Sequence, residues 1–294
     1  MTAPRFLIDS HVHLMTPPRI KGGIKWIRRA VPAFQRLSLE VTREEIISHL
    51  KQAGVDYIIN YFYPLEPGES RAINRWQHEL ARQYRFIIPF ASLHPGDRDK
   101  EGIIREALEN FDLAGFKFHP YVQRFEILDK AMSPVYELLE KRGCPVTFHT
   151  GFASFYGLKP MTESFLEFLR RYPGLKIVAA HMLFADLPLD RWGELLEKYP
   201  GLYLDATNTL SLLTPGTGEE KMFSALLKGY SHRMVFGTDY PMAMDYPVEN
   251  LYQLVHKLCP GQEYIEDLCW RTAVKIVGAE RFHGTGLLTV YEQE

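Results

Sequence analysis

The chain has 294 residues, 46% of them hydrophobic and 24% charged, a balance that supports a large buried core and excludes global disorder. Lys and Arg total 34 against 36 Asp and Glu, so a net charge of −2 provides no overall attraction to nucleic acid or an anionic membrane. Cys144, Cys259 and Cys269 form no Cys-x-x-Cys pair, which indicates neither a disulfide framework nor a thiolate zinc site.

Met1 leads within a few residues into an apolar run, with no signal-peptide hydrophobic region and no apolar stretch of about 18 residues. A cytoplasmic protein with no membrane or nucleic-acid partner is expected. The length suits one domain over residues 1–294, because an α/β barrel commonly takes about 250 residues.

Eight apolar or β-branched runs are strand candidates, at residues 6–8, 55–61, 86–92, 115–118, 146–149, 176–181, 202–206 and 234–238. Helical patterns separate them. Thr42-x-x-Glu45 is a capping box ahead of Ile46, Ile47 and Leu50, and Gly54 stands where that helix would end. Ser133-Pro134 opens another helix that Gly143 closes, and Phe165, Leu166, Phe168 and Leu169 mark a third before Pro173-Gly174. After the first interval, strands begin roughly every 30 residues, the length of one strand-plus-helix unit. This predicts a (β/α)8 TIM barrel, with an open doubly wound sheet as the alternative. The lack of a Gly-x-Gly-x-x-Gly after the first strand disfavours that alternative.

The first interval is exceptional. Residues 14–39 form a long insertion that carries Arg19, Lys21, Lys25, Arg28, Arg29 and Arg36 without an acidic residue, and Trp26, Ile27, Val31 and Phe34 as apolar points. It reads either as a lid that draws an anionic substrate to the barrel mouth or as an amphipathic helix packed on the barrel or on a second copy of the chain, making a homodimer.

Barrel chemistry sits at the carboxyl ends of the strands, and the polar residues there are unusual. The first run leads into His11 and His13, whose i, i+2 spacing on a strand puts both imidazoles on one face, close enough to hold one metal ion. Lys117 and His119 belong to the fourth strand, His149 ends the fifth, His181 the sixth and Asp239 the eighth. Singly, a histidine beyond a strand is ordinarily a hydrogen-bonded core or loop residue. Together these residues would converge on one cavity, and His plus carboxylate with an open position is how catalytic divalent metals are held. Asp9 precedes His11 by two and either orients a ligand or is a buried structural carboxylate.

Asp9-Ser10-His11-Val12-His13, Gly115-Phe116-Lys117-Phe118-His119-Pro120, Phe148-His149-Thr150-Gly151, Ala180-His181, Phe236-Gly237-Thr238-Asp239-Tyr240-Pro241 and Thr272-Ala273-Val274-Lys275-Ile276-Val277-Gly278 occur in this order. The set resembles the amidohydrolase superfamily, specifically the amidohydrolase-2 branch that includes aminocarboxymuconate-semialdehyde decarboxylase, nearly end to end. The resemblance implies one divalent metal ion, usually zinc, with Mn2+ or a second metal as alternatives. It implies that His11, His13, His149 and Asp239 hold the ion, that His181 polarises or protonates substrate, and that Asp239 doubles as general base. Lys117 would be a carboxylated bridge between two metals or, with one metal, a plain cation that binds substrate.

His119 and Arg124 are further substrate-binding candidates, and Phe62, Tyr63, Tyr121, Phe152, Phe155, Tyr156 and Tyr240 would line a site for a planar carboxylated molecule. The leading expectation is a metal-dependent hydrolase of an amide, ester or lactone through metal-activated water. The runner-up is non-oxidative decarboxylation of an aromatic or unsaturated acid. A non-catalytic metal-binding protein is the reading from another class, and it leaves an open coordination position without a purpose.

Overall fold

The computed structural model describes residues 3–30, 39–184, 186–242, 248–259, 261–282, 286, 287 and 291. Eight parallel strands run through them: β1 (Ile8–Val12), β2 (Tyr57–Tyr61), β3 (Ile87–Phe90), β4 (Phe116–Phe118), β5 (Val146–His149), β6 (Ile177–Ala180), β7 (Leu202–Asp205) and β8 (Met234–Val235). Their ladders are β1-β2-β3 and β4-β5-β6-β7-β8. Backbone hydrogen bonds close both seams. Ala91 N donates to Gly115 O at 2.7 Å and Lys117 N to Ala91 O at 2.8 Å, while Ser10 N donates to Phe236 O at 2.9 Å and His13 N to Tyr240 O at 2.7 Å. Among the described residues no strand is left without a neighbour on either side, so the sheet is a (β/α)8 barrel and the open-sheet alternative falls.

Every expected strand is present, six of them one to three residues shorter than the apolar run. The first differs most. It was expected at 6–8 and instead runs Ile8–Val12, carrying His11 inside it. Asp, Ser and His are weak strand formers, but pairing with β2 on one side and with residues 236–240 on the other holds them extended. A register shift between Asp9 and Val12 interrupts the β1–β2 pairing. Because side-chain direction alternates residue by residue, such a bulge moves Asp9 off the face of His11 and His13.

The helices obey their sequence signals. Thr42 caps Arg43–Gln52 through the full capping box, and Gly54 follows at a φ of 81° that glycine adopts without strain. Pro134 lies in the first turn of Ser133–Lys141, and Phe165, Phe168 and Leu169 form the buried stripe of Thr162–Arg171.

Two apolar clusters build the core. The larger holds outward-facing strand residues such as Ile58, Phe116, Phe148 and Leu204, packed against the helices. The smaller holds Tyr57, Ile59, Tyr61, Phe90, Val178, Tyr203 and Val235 with Trp270 and Val274. In β2 the two sets alternate, so the second cluster fills the barrel interior. Above this floor the interior turns polar, with His11, Lys117, Thr147, His149 and Asp205 all buried.

The insertion begins as one helix, α1 (Pro17–Ala30), whose Ile20, Ile24 and Ile27 face inward at helical spacing. Val31, Phe34 and Arg36 lie outside the described residues. At its base Arg19 pairs with Glu69 and Lys21 with Glu40, each at 2.5 Å, so part of the one-sided charge is neutralised on the barrel. Among the described residues no helix is long and apolar enough to cross a membrane.

Candidate metal centre

His11, His13 and Asp239 each place one ligand atom within 4.8 Å of the others, at the carboxyl end of the barrel. His13 Nε2 is 3.0 Å and His11 Nε2 3.6 Å from Asp239 Oδ1. His149 is not in this trio. Its ring stacks on His119 at 3.7 Å and 11°, and its Nδ1 lies 3.1 Å from His181 Nε2.

Hydrogen bonding determines which nitrogen of each ring carries the proton. His11 Nδ1 faces Asp205 Oδ2 at 2.5 Å and His13 Nδ1 faces the Tyr61 carbonyl at 2.9 Å; both partners only accept, so both rings are protonated at Nδ1. The Thr207 carbonyl at 3.1 Å does the same for His181 Nδ1. His181 Nε2 then accepts from His149 Nδ1, which leaves His149 Nε2 a bare lone pair, buried and without a partner. Three Nε2 lone pairs and a carboxylate therefore stand in the polar end of the barrel. A lone pair of His13 at 3.0 Å from a carboxylate oxygen repels it unless a cation, proton or metal, lies between. The donor set fits a divalent ion, and ring N–H groups held by a carboxylate or carbonyl are the usual support of metal-ligating histidines.

Burial works to raise the Asp239 carboxyl, but when the cation between it and His13 is a proton, that shared hydrogen bond and the neighbouring His11, His13 and His181 override burial and hold the carboxyl well below the ordinary range. Asn208 Nδ2 donates to its other oxygen at 3.0 Å. Lys117 is fully buried, 3.4 Å from His11 Nε2 and 4.6 Å above the Tyr61 ring. Burial brings its amine down to about 8, against the attraction of Asp205 and Asp239. His181, Asn208 and Asp239 have φ of 64°, 63° and 61°, left-handed values that cost non-glycine residues about 1–3 kcal/mol each and cluster at functional sites.

The other expected site residues divide. His119 is buried and caps the helix Pro120–Gln123, its Nδ1 accepting from Val122 N, while its Nε2 meets Tyr156 Oη at 3.2 Å. Arg124 follows that helix in a left-handed conformation and is exposed. Tyr63, Tyr156 and Phe152 do stand against the histidines. Phe62 instead packs on Trp76, and Tyr240 stacks on His49, because each points to the helical shell. Asp9 accepts from Thr238 N and Oγ1 at 3.0 and 2.6 Å and from His11 N at 3.2 Å. It ties β1 to the segment after β8, the structural role, and burial raises its carboxyl to about 7 against the hydrogen bond from Thr238.

Asp205 is the residue that sequence reasoning missed. It ends β7 as the histidines end their strands, and the same strand-end rule applied to Leu202–Asp205 would have found it. The larger surface cavity, about 700 Å3 around His232, Asp267, Arg271, Thr272, Lys275 and Tyr291, opens beside the residues that precede β8, at the opposite end of the barrel.

No curated protein sequence matches the chain significantly. Among solved structures, an uncharacterised TIM-barrel protein from Bordetella bronchiseptica superposes with a TM-score of 0.71 at 19% identity, covering 95% of this chain and 99% of the other. A dihydroxybenzoic acid decarboxylase from Polaromonas sp. JS666, with bound manganese and the inhibitor 2-nitroresorcinol, superposes at 0.68 with 14% identity, over 96% and 100%. A 4-oxalomesaconate hydratase from Rhodopseudomonas palustris gives 0.66 at 13%, over 98% and 100%. The sequence model of the family described as Amidohydrolase matches residues 8–279, from the first metal strand to the glycine-terminated helix after β8, and the chain belongs to that family.

Proposed function

We propose that the protein is a metal-dependent enzyme acting on a small, planar, carboxylated substrate, and that its reaction is non-oxidative decarboxylation. The observation that carries this is the pair of Nε2 lone pairs on His11 and His13 beside the Asp239 carboxylate, with the partnerless Nε2 of His149 buried at the same end of the barrel, where such folds do chemistry. A divalent ion held by these four residues would act as a Lewis acid toward the substrate's oxygens. Zinc, expected from the sequence, and manganese, present in the Polaromonas decarboxylase, both suit imidazole and carboxylate ligands.

Loss of CO2 leaves an electron pair on the substrate carbon, and one proton must replace the lost carboxylate. His181 is the group assigned to deliver it. The ring is held from behind by the Thr207 carbonyl through Nδ1, so the proton it delivers is one taken up from solvent at Nε2, the nitrogen that otherwise accepts from His149. Lys117 is assigned the part of a cation that attracts the substrate, with one metal in the site and no carboxylated bridge. Phe152, 5.7 Å from the His181 ring, and Tyr63, 5.8 Å from that of His13, supply flat walls. The family description favours a second reading, hydrolysis of an amide, ester or lactone, with Asp239 as general base.

The test is a turnover screen of the protein after chelation and reloading with Zn2+, Mn2+ or Co2+. Hydroxylated benzoic acids are offered beside carboxylated amides and lactones. Metal-dependent release of CO2 in step with loss of the aromatic acid is expected. A new acid formed without CO2 would replace decarboxylation by hydrolysis, and turnover by metal-free protein would remove the metal from the account.

A further inference from the structure

Two tyrosines border the metal centre and neither belongs to the ligand set. Tyr63 lies two residues beyond β2, its ring 5.8 Å from His13 and 5.2 Å from His119. Tyr156 lies in the short helix Ala153–Tyr156 beyond β5, its ring 5.4 Å from both His119 and His149. Two strands that are not neighbours in the barrel thus bring phenols to the same histidine.

The hydrogen-bond polarity of Tyr156 follows from the backbone. Val122 N–H points at His119 Nδ1 from 3.4 Å, so that nitrogen is an acceptor and the ring proton is on Nε2. His119 Nε2–H then donates to the Tyr156 oxygen at 3.2 Å, which leaves the hydroxyl hydrogen of Tyr156 uncommitted. Tyr63 has no hydrogen bond among the described residues, and its hydroxyl is not among the enclosed, partnerless polar atoms, so it faces open space. Phenols ordinarily titrate at about 10, well above neutral pH. Both remain protonated donors at neutral pH.

We infer that Tyr63 and Tyr156 form a second recognition point in the site, a pair of hydroxyl donors for an acceptor oxygen that the substrate carries away from its metal-side carboxylate. This deepens the reading of a carboxylated substrate and rests on it. A substrate with one carboxylate and no further acceptor would cover both hydroxyls and leave them unpaired, and so would bind more weakly than an acid that pairs them. The favoured class is therefore an acid with a second carboxylate, carbonyl or phenolate oxygen. His119 is a positioning residue, since its own polar contact is spent on Tyr156. Trp26 of α1 stacks on the opposite face of this group, 5.4 Å from Tyr156 at 21°, and Tyr121 stacks at 5.0 Å, so the Tyr156 ring is held in one orientation.

The experiment is calorimetric titration of manganese-loaded protein with benzoate, isophthalate, terephthalate and 3- and 4-aminobenzoate. At least one dicarboxylate should bind about tenfold more tightly than benzoate, while the amino compounds, which place a donor where an acceptor is required, gain nothing. Tyr156→Phe and Tyr63→Phe, with metal content and thermal midpoint of the parent, should bring the dicarboxylate back toward benzoate. Equal binding of all the probes, or a gain that survives both substitutions, would overturn the recognition point and leave the carboxylate reading standing. Failure of benzoate and both dicarboxylates to bind would overturn the substrate class and the recognition point together.

Discussion

Asp205 holds His11 by its Nδ1–H, and the direction of the His11 Nε2 lone pair depends on that contact. Removing a carboxylate that orients a ligating imidazole ordinarily weakens metal binding by about 10–100-fold. Asp205→Ala should do so, read as the chelator concentration at which metal is stripped, while the parent's circular dichroism is kept. His181 differs, because its Nε2 is engaged by a histidine and its Nδ1 by a carbonyl. His181→Asn should keep its metal and lose about 10²–10⁴ in kcat, the usual worth of a proton-transfer residue. Loss of metal from this variant would make His181 a ligand, and full activity with full metal would end its catalytic assignment. The histidines could be found from sequence because an imidazole beyond an apolar strand stands out, whereas Asp205 falls inside the run expected at 202–206 and becomes a strand end only with the observed bounds of β7.

At the level of elements, the seam between β8 and β1 is the close-fitting part. A Cβ on Gly237 would stand 2.7 Å from the His11 Cβ, nearer than side chains approach, so glycine is required where the two segments meet. Gly237→Ala should destabilise the fold by about 1–3 kcal/mol, the range for overpacking, and should lower metal content because the added Cβ displaces both His11 and the Thr207 hydroxyl that donates to Asp205. Normal metal content with reduced stability would show that the seam can yield without moving the site. The bulge in β1 had no signal in the sequence, since Asp9, Ser10 and His11 alternate as a plain strand would; only pairing with β2 and the Asp9–Thr238 contacts reveal it. The insertion helix reaches the loop after β5 through Trp26, which is 41% exposed yet stacked on Tyr156. If it admits substrate, Trp26→Ala should raise KM and leave kcat nearly unchanged. Unchanged kinetics with an altered sedimentation coefficient would make α1 an interface between copies.

For the molecule as a whole, the barrel was legible because eight apolar runs recur at the length of one strand-plus-helix unit, and closure follows once 91 pairs with 116 and 12 with 240. The candidate metal residues stood out because His149 ends its run, Asp239 follows the last, and His11 and His13 lie just beyond the first. The Tyr63 and Tyr156 pairing with His119 was not, since it depends on how the loops after β2 and β5 fold toward each other. The account's central claim is that residues from β1, β5 and the segment after β8 converge to hold a single ion, and the most direct test is metal content per chain by mass spectrometry, in the parent and in His13→Ala, His149→Ala and Asp239→Ala. The account predicts about one equivalent of a divalent transition metal in the parent and a clear loss in each variant, with activity following the metal. Two equivalents would make Lys117 a carboxylated bridge, and full activity with less than about a tenth of an equivalent would contradict the claim outright.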